Sequence, residues 1–121
     1  MNWTTALIVV AVVLIFFLLK RVGLVSSRDA MAYLKKGAKL IDVRTAAEFS
    51  SSHLPRAINI PLSEVQELTP RRVKNKDQVL LLHCQTGSRS SSAKKILTGM
   101  GYTHIFNLGS YQRAARIVGK R

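Results

Sequence analysis

The chain has 121 residues, with 19 Lys and Arg against 6 Asp and Glu and a formal charge of +13 at pH 7. That length is enough for one ordinary domain and no more. Its single cysteine excludes an internal disulfide and fits a reducing compartment.

The first segment, "WTTALIVVAVVLIFFLLK", carries no charge from Trp3 to Leu19 and then meets Lys20 and Arg21. Seventeen residues of helix reach about 26 Å, slightly under the roughly 30 Å hydrocarbon core of a bilayer. The pattern predicts one transmembrane helix over residues 3–19, with Trp3 at one interface and Lys20 and Arg21 at the other. A cleaved secretory signal is the rival reading. Against it, "MNWTT" lacks a basic residue and "KRVGLVSS" offers no small-x-small cleavage site. A buried core helix is opposed by a run that is apolar on every face. Basic residues flank only the C-terminal side, so the positive-inside rule predicts a single-pass inner-membrane protein with its domain in the cytoplasm.

Residues 20–27 read as a basic juxtamembrane tether, and residues 28–118 as the folded domain. Ser26 or Ser27 offers an N-cap to a helix over "RDAMAYLKKG" that Gly37 ends. "KLIDV" (39–43) is a short buried strand, "TAAEFSSSH" a helical turn, and "AINI" (57–60), between Pro55 and Pro61, another short strand. "SEVQEL" (63–68) forms one or two helical turns from an N-cap at Ser63, and "RRVKNKD" is solvated loop. "QVLLLHC" (78–84) gives the strongest strand signal, that of a central strand. A helix follows over 90–101, ended by Gly99 or Gly101, then a strand over 103–108 and a closing helix over 110–118. Alternation of this kind with short links predicts an α/β domain with a mostly parallel central sheet flanked by helices.

With Lys20 and Arg21 set aside, residues 22–121 hold 17 basic and 6 acidic side chains, a formal +11. Beside a membrane helix, anionic lipid headgroups are the nearest partners for such a surface. The charges are scattered and lack interleaved aromatic residues, which disfavours nucleic acid.

The chemistry concentrates in "HCQTGSR" (83–89), at the carboxyl end of the predicted central strand, where open α/β sheets place their sites. A strand–loop–helix junction aims backbone N–H groups and the positive end of a helix dipole into one concavity. Gln85, Thr86, Gly87 and Ser88 are small or flexible enough for the backbone to curl around one atom, and Arg89 can close the loop. Cys84 at its mouth should ionise below the usual thiol value near 8.5, at which only about 3% is thiolate at pH 7. The plain alternative is a small buried hydrophobe at a strand end. Tyrosine phosphatases place five residues between Cys and Arg, whereas only residues 85 to 88 separate Cys84 from Arg89. The shorter loop suits a single sulfur atom rather than a phosphoryl group with three oxygens.

"LIDVRTAAEFSSSHLPRAINIPLSEV" (40–65) together with "VLLLHCQTGSRSSSAKKILTGMGYTHIFNLGS" (79–110) resembles a single rhodanese domain over about residues 26 to 118. The resemblance implies an α/β sulfurtransferase in which Cys84 takes a sulfane sulfur from thiosulfate or a persulfide donor. Residues 85 to 89 would bind that sulfur, and an external thiol or cyanide would accept it. It implies no metal and no organic cofactor. Asp42 is assigned a supporting role by pairing with Arg89, and Arg44 by pairing with Glu48 to hold the "RTAAEF" turn. His53 is structural by the same resemblance. His83 reads as a strand residue without acid–base work. Gln85 stands where many members have Arg, and Ser110 and Tyr111 stand near the place of a frequent Trp. A membrane-tethered binding module with little turnover is the second reading, and an arsenate reductase or phosphatase the third.

Overall fold

The computed structural model describes residues 2–119, and among them every side chain except those of residues 19–22. The interface role expected of Lys20 and Arg21 therefore lies outside the described side chains. Four short strands make one sheet: β1 (Lys39–Asp42), β2 (Ile58–Asn59), β3 (Leu80–His83) and β4 (Ile105–Gly109). Their order is β2-β1-β3-β4, and each neighbouring pair is parallel. Parallel neighbours need crossovers, which helices supply. These are α3 (Ala46–Ser51) between β1 and β2, α4 (Val65–Arg72) between β2 and β3, and α5 (Ser88–Gly99) between β3 and β4. Helices α2 (Ser27–Lys35) and α6 (Tyr111–Val118) bracket the sheet in sequence.

Strand β3 shows why the sheet is covered on both faces. Successive side chains alternate, so Leu80, Leu82 and Cys84 enter the core beneath α4 and α5, beside Val65, Ala93 and Leu97. Leu81 enters the opposite core with Ala30 and Leu34 of α2 and Ala114 and Ile117 of α6. Leu80, Leu81 and Leu82 have no exposed surface, as a continuous apolar run in a central parallel strand requires.

The ends of the elements follow local chemistry. Ser26 caps α2 by accepting the Asp29 N–H at 3.1 Å, and Ser110 caps α6 by accepting that of Arg113 at 3.1 Å. Ser63, expected as an N-cap, sits instead inside a 3-10 turn over Leu62–Glu64. The Glu64 N–H closes that turn on the Pro61 carbonyl at 2.8 Å, so α4 begins only at Val65. α4 then continues through Pro70 to Arg72, beyond the expected end at residue 68. The segment "RRVKNKD" is likewise not all solvated. Val73 is buried, and its carbonyl accepts the Tyr102 hydroxyl at 2.7 Å.

The N-terminal helix α1 (Trp3–Val22) forms as expected, and the Asn2 side chain accepts the Thr5 N–H at 2.8 Å at its start. Every large apolar side chain from Trp3 to Leu18 is exposed. Among the described residues, however, no helix is long and apolar enough to cross a membrane. The expected transmembrane span is corrected to that extent: the uncharged stretch stops at Leu19, short of the hydrocarbon thickness, and α1 runs on into Lys20 and Arg21.

Candidate active site

β3 delivers Cys84 to the carboxyl edge of the sheet, and the chain turns through Gln85, Thr86 and Gly87 into α5. The turn is anchored to the neighbouring strand. The Cys84 N–H donates to the Gly109 carbonyl at 3.2 Å, the Tyr111 N–H donates to the Gln85 carbonyl at 3.3 Å, and Thr86 bridges to Ser110. Gly87 has φ +100° and serves as N-cap of α5. A side chain here would be strained, and its Cβ would meet the Gly109 Cα at 3.3 Å.

This geometry brings the Gly87 N–H to 3.0 Å from Cys84 Sγ and the Ser90 hydroxyl to 3.6 Å. Burial pushes the Cys84 thiol up. Hydrogen bonds from the Ser90 N–H and hydroxyl and from the Gly87 and Thr86 N–H groups outweigh it and hold the thiol below its ordinary value. Cys84 itself is fully buried, while Gln85, Thr86 and Ser88 are exposed around it. Clefts lie elsewhere on the surface. One of about 350 Å³ is lined by Leu54, Pro55, Arg56, Ala115, Val118 and Gly119, none of them in the cysteine loop.

The charged partners differ from the expected pairing. Asp42 does not meet Arg89. Its carboxylate accepts from Arg44, through the backbone N–H at 2.9 Å, Nε at 3.0 Å and Nη2 at 2.7 Å. Both side chains are buried, at 0% and 5% exposure. Arg44 also donates to the Ser52 carbonyl at 2.7 Å and lies over the Tyr111 ring at 4.6 Å. Asp42 ends β1 on the buried edge, so the nearest cation able to follow it inward is two residues along, not across the loop. Arg89 instead forms a two-pronged pair with Glu48, at 2.6 and 3.0 Å. Glu48 is the third residue of α3 and forms a capping box with Thr45. Arg89 and the Thr45 N–H hold the Glu48 carboxyl down at about 2. Arg89 therefore ties the first turn of α5 to the start of α3.

His83 is buried beside Asp42 in the sheet register; its Nδ1 lies 3.4 Å from the Cys84 carbonyl oxygen, and its Nε2, 3.8 Å from the Asp42 carboxylate, makes no hydrogen bond among the described residues. Burial pushes the imidazole below its ordinary value despite the neighbouring carboxylate, so the contact is not an ion pair. His53 stacks on Phe49 at 3.9 Å, and its Nδ1 lies 2.8 Å from the Phe49 carbonyl oxygen. Sequence reasoning passed over Ser90 and Asn107. Ser90 donates to Asn107 Oδ1 at 2.7 Å, and Asn107 in turn accepts the Gly109 N–H at 2.8 Å. The serine was in view within "GSRSSS", but nothing in the sequence aligns β4 beside that turn. Among the described residues no group of His, Cys, Asp and Glu could hold a metal ion.

Fold and site define an α/β domain that presents a cysteine, its thiol held below the ordinary value, from a tight strand-to-helix loop. The rhodanese-like domain family matches residues 26–114, and the chain belongs to that family. It is 41% identical over 75 residues to the thiosulfate sulfurtransferase PspE of Escherichia coli, covering 62% of this chain and 72% of that protein. It is 31% identical over 102 residues to the human thiosulfate:glutathione sulfurtransferase, covering 73% and 89%. Among solved structures it is similar to a rhodanese with anions from E. coli, with TM-score 0.61, 39% identity and coverage of 64% and 91%. The human single-domain sulfurtransferase TSTD1 matches with TM-score 0.66, 28% identity and coverage of 78% and 96%.

Proposed function

The chain is a rhodanese-type sulfurtransferase, and we propose that it moves a sulfane sulfur through a persulfide on Cys84. The observation that carries this is the Cys84 sulfur, 3.0 Å from the Gly87 N–H at the start of α5, in a loop with Gly at its strained position. The thiolate attacks the outer sulfur of thiosulfate or of a small persulfide. The donor's S–S bond breaks, and its electron pair leaves on sulfite or on the donor thiolate. The terminal sulfur, now negative, rests against the N–H groups of the loop. A thiol or cyanide then takes that sulfur, and the electron pair of the persulfide bond returns to Cys84. No second cysteine resolves the persulfide, so the acceptor comes from outside.

Steady-state rates measured against both thiosulfate and cyanide test the cycle. Parallel double-reciprocal lines are the expected result, since donor and acceptor never share the site. Intersecting lines, or turnover that survives Cys84→Ser, would contradict it. A folded wild-type protein without turnover would favour a binding module. Phosphatase activity dependent on Cys84 would favour the third reading.

For location, we propose that α1 attaches the enzyme to a membrane with residues 23–119 on the cytoplasmic side, beside anionic lipid headgroups. What supports this is the exposure of every large apolar side chain from Trp3 to Leu18, a patch that a free monomer in water does not keep. Retention of the full chain in carbonate-washed membranes is expected. Release into the wash, or labelling of Cys84 by an impermeant thiol reagent in intact cells, would refute attachment and orientation respectively.

A further inference from the structure

Ser90 occupies the first turn of α5 and has no exposed surface. Its hydroxyl has one proton and three acceptors within reach. These are Asn107 Oδ1 at 2.7 Å, the Gly87 carbonyl at 3.0 Å and Cys84 Sγ at 3.6 Å. Asn107 Oδ1 also receives the Gly109 N–H at 2.8 Å, so it keeps a donor if Ser90 turns away. A single proton among several acceptors goes to whichever carries charge. With a neutral thiol that acceptor is Asn107, at the shortest of the three distances. With a negative Sγ it is the sulfur.

We propose that the Ser90 hydroxyl is a catalytic donor that swings between Asn107 and Cys84 Sγ as charge on that sulfur comes and goes, with Asn107 as its positioning residue. The proposal rests on the persulfide cycle above. In the thiolate, Sγ is negative and holds the Ser90 proton. Once the donor's sulfur is captured, the new S–S bond leaves Sγ neutral and puts the charge on the outer sulfur. Ser90 then returns to Asn107. When the acceptor attacks the outer sulfur, the bond's electron pair moves back to Sγ, and Ser90 turns to meet it. Its help therefore falls on Sγ as a leaving group. A hydrogen bond that lowers the thiolate's pKa makes it a slightly poorer nucleophile and a better leaving group. The two half-reactions should respond in opposite directions.

The test uses the full chain with Ser90→Ala and Ser90→Thr. Alanine is smaller and a good helix former, and Asn107 keeps the Gly109 donor, so the variant retains its fold. Iodoacetamide alkylation across pH reads the Cys84 midpoint. Single-turnover charging by thiosulfate and discharge to cyanide, both above that midpoint, read the two steps. Ser90→Ala should move the midpoint up by about one unit, a tenfold change in the thiolate ratio. Discharge should slow about threefold, for a leaving-group sensitivity near one half, while charging speeds up by about two- to threefold. Ser90→Thr keeps the hydroxyl and should hold the midpoint and the discharge rate closer to wild type than Ser90→Ala does. A folded Ser90→Ala with the wild-type midpoint and discharge rate would overturn the proposal, as would equal impairment in both variants. A wild-type chain that takes up no sulfur would defeat the cycle. Even then, a shifted midpoint in Ser90→Ala would uphold the hydroxyl's hold on the thiolate.

Discussion

Asp42→Ala removes a carboxylate that receives the Arg44 backbone N–H, Nε and Nη2 at 2.7 to 3.0 Å. The Arg44 side chain, 5% exposed, would be left with the Ser52 carbonyl and the Tyr111 ring as neighbours. Stranding one member of a buried ion pair costs about 3–5 kcal/mol, against a total stability of about 5–15 kcal/mol for a domain. With a urea slope of about 2 kcal/mol per molar, the unfolding midpoint should fall by about 2 M. Glu48→Ala breaks a pair whose members are 32% and 34% exposed. Such a pair is worth about 1 kcal/mol or less, and the lost capping box adds about as much again, so its midpoint should fall by about 1 M or less. The order reverses for the loop, because Glu48 is what fastens Arg89 to α3. At a temperature where both variants are folded, Glu48→Ala should form persulfide more slowly than Asp42→Ala. Urea unfolding followed by fluorescence, with thiosulfate charging in parallel, measures both. Equal midpoints in the two variants, or a loop defect confined to Asp42→Ala, would refute the assignment of partners.

Other outcomes follow from the same geometry. Gly87→Ala forces a side chain into φ +100° against the Gly109 backbone; a cost of about 1–2 kcal/mol and a raised alkylation midpoint are expected, as the Gly87 N–H is displaced from the sulfur. Glu48 has a folded value of about 2, below its ordinary 4.5. Its contribution is therefore complete above about pH 4.5 and lost as pH falls toward 2, and Glu48→Gln should flatten that part of an acid unfolding curve. Arg56 lies at φ +66° in the turn closed by the Ala57 N–H on the Leu54 carbonyl at 3.1 Å. Arg56→Gly should raise stability by about 0.5–1 kcal/mol in thermal unfolding, since glycine adopts that conformation without strain.

The sheet was legible because each strand is a short apolar run between turn residues, and β3 reads as central from three consecutive leucines. Ser26 and Ser110 announced their helices through cap chemistry, whereas Ser63 did not. A proline two residues before it set up a 3-10 turn that the helix signal alone does not reveal. The turn after β3 was legible as well, because a glycine between an apolar strand and a helix supplies the positive φ that such a turn takes. The charge partners were not. Asp42, Arg44, Glu48 and Arg89 permit two pairings on paper, and only the depth of Asp42 in the sheet selects Arg44. Ser90 and Asn107 stand 17 residues apart and meet only because β4 lies beside β3. A long-range contact of that kind leaves no local pattern to read.

Intact-mass measurement of the full chain after thiosulfate, before and after cyanide, bears most directly on the sulfur held at Cys84. The account predicts that thiosulfate adds the mass of one sulfur atom, that cyanide removes it with release of thiocyanate, and that Cys84→Ser shows neither change. A folded wild-type protein that gains no mass from thiosulfate or from a small persulfide donor, or a Cys84→Ser variant that still gains it, would contradict the account.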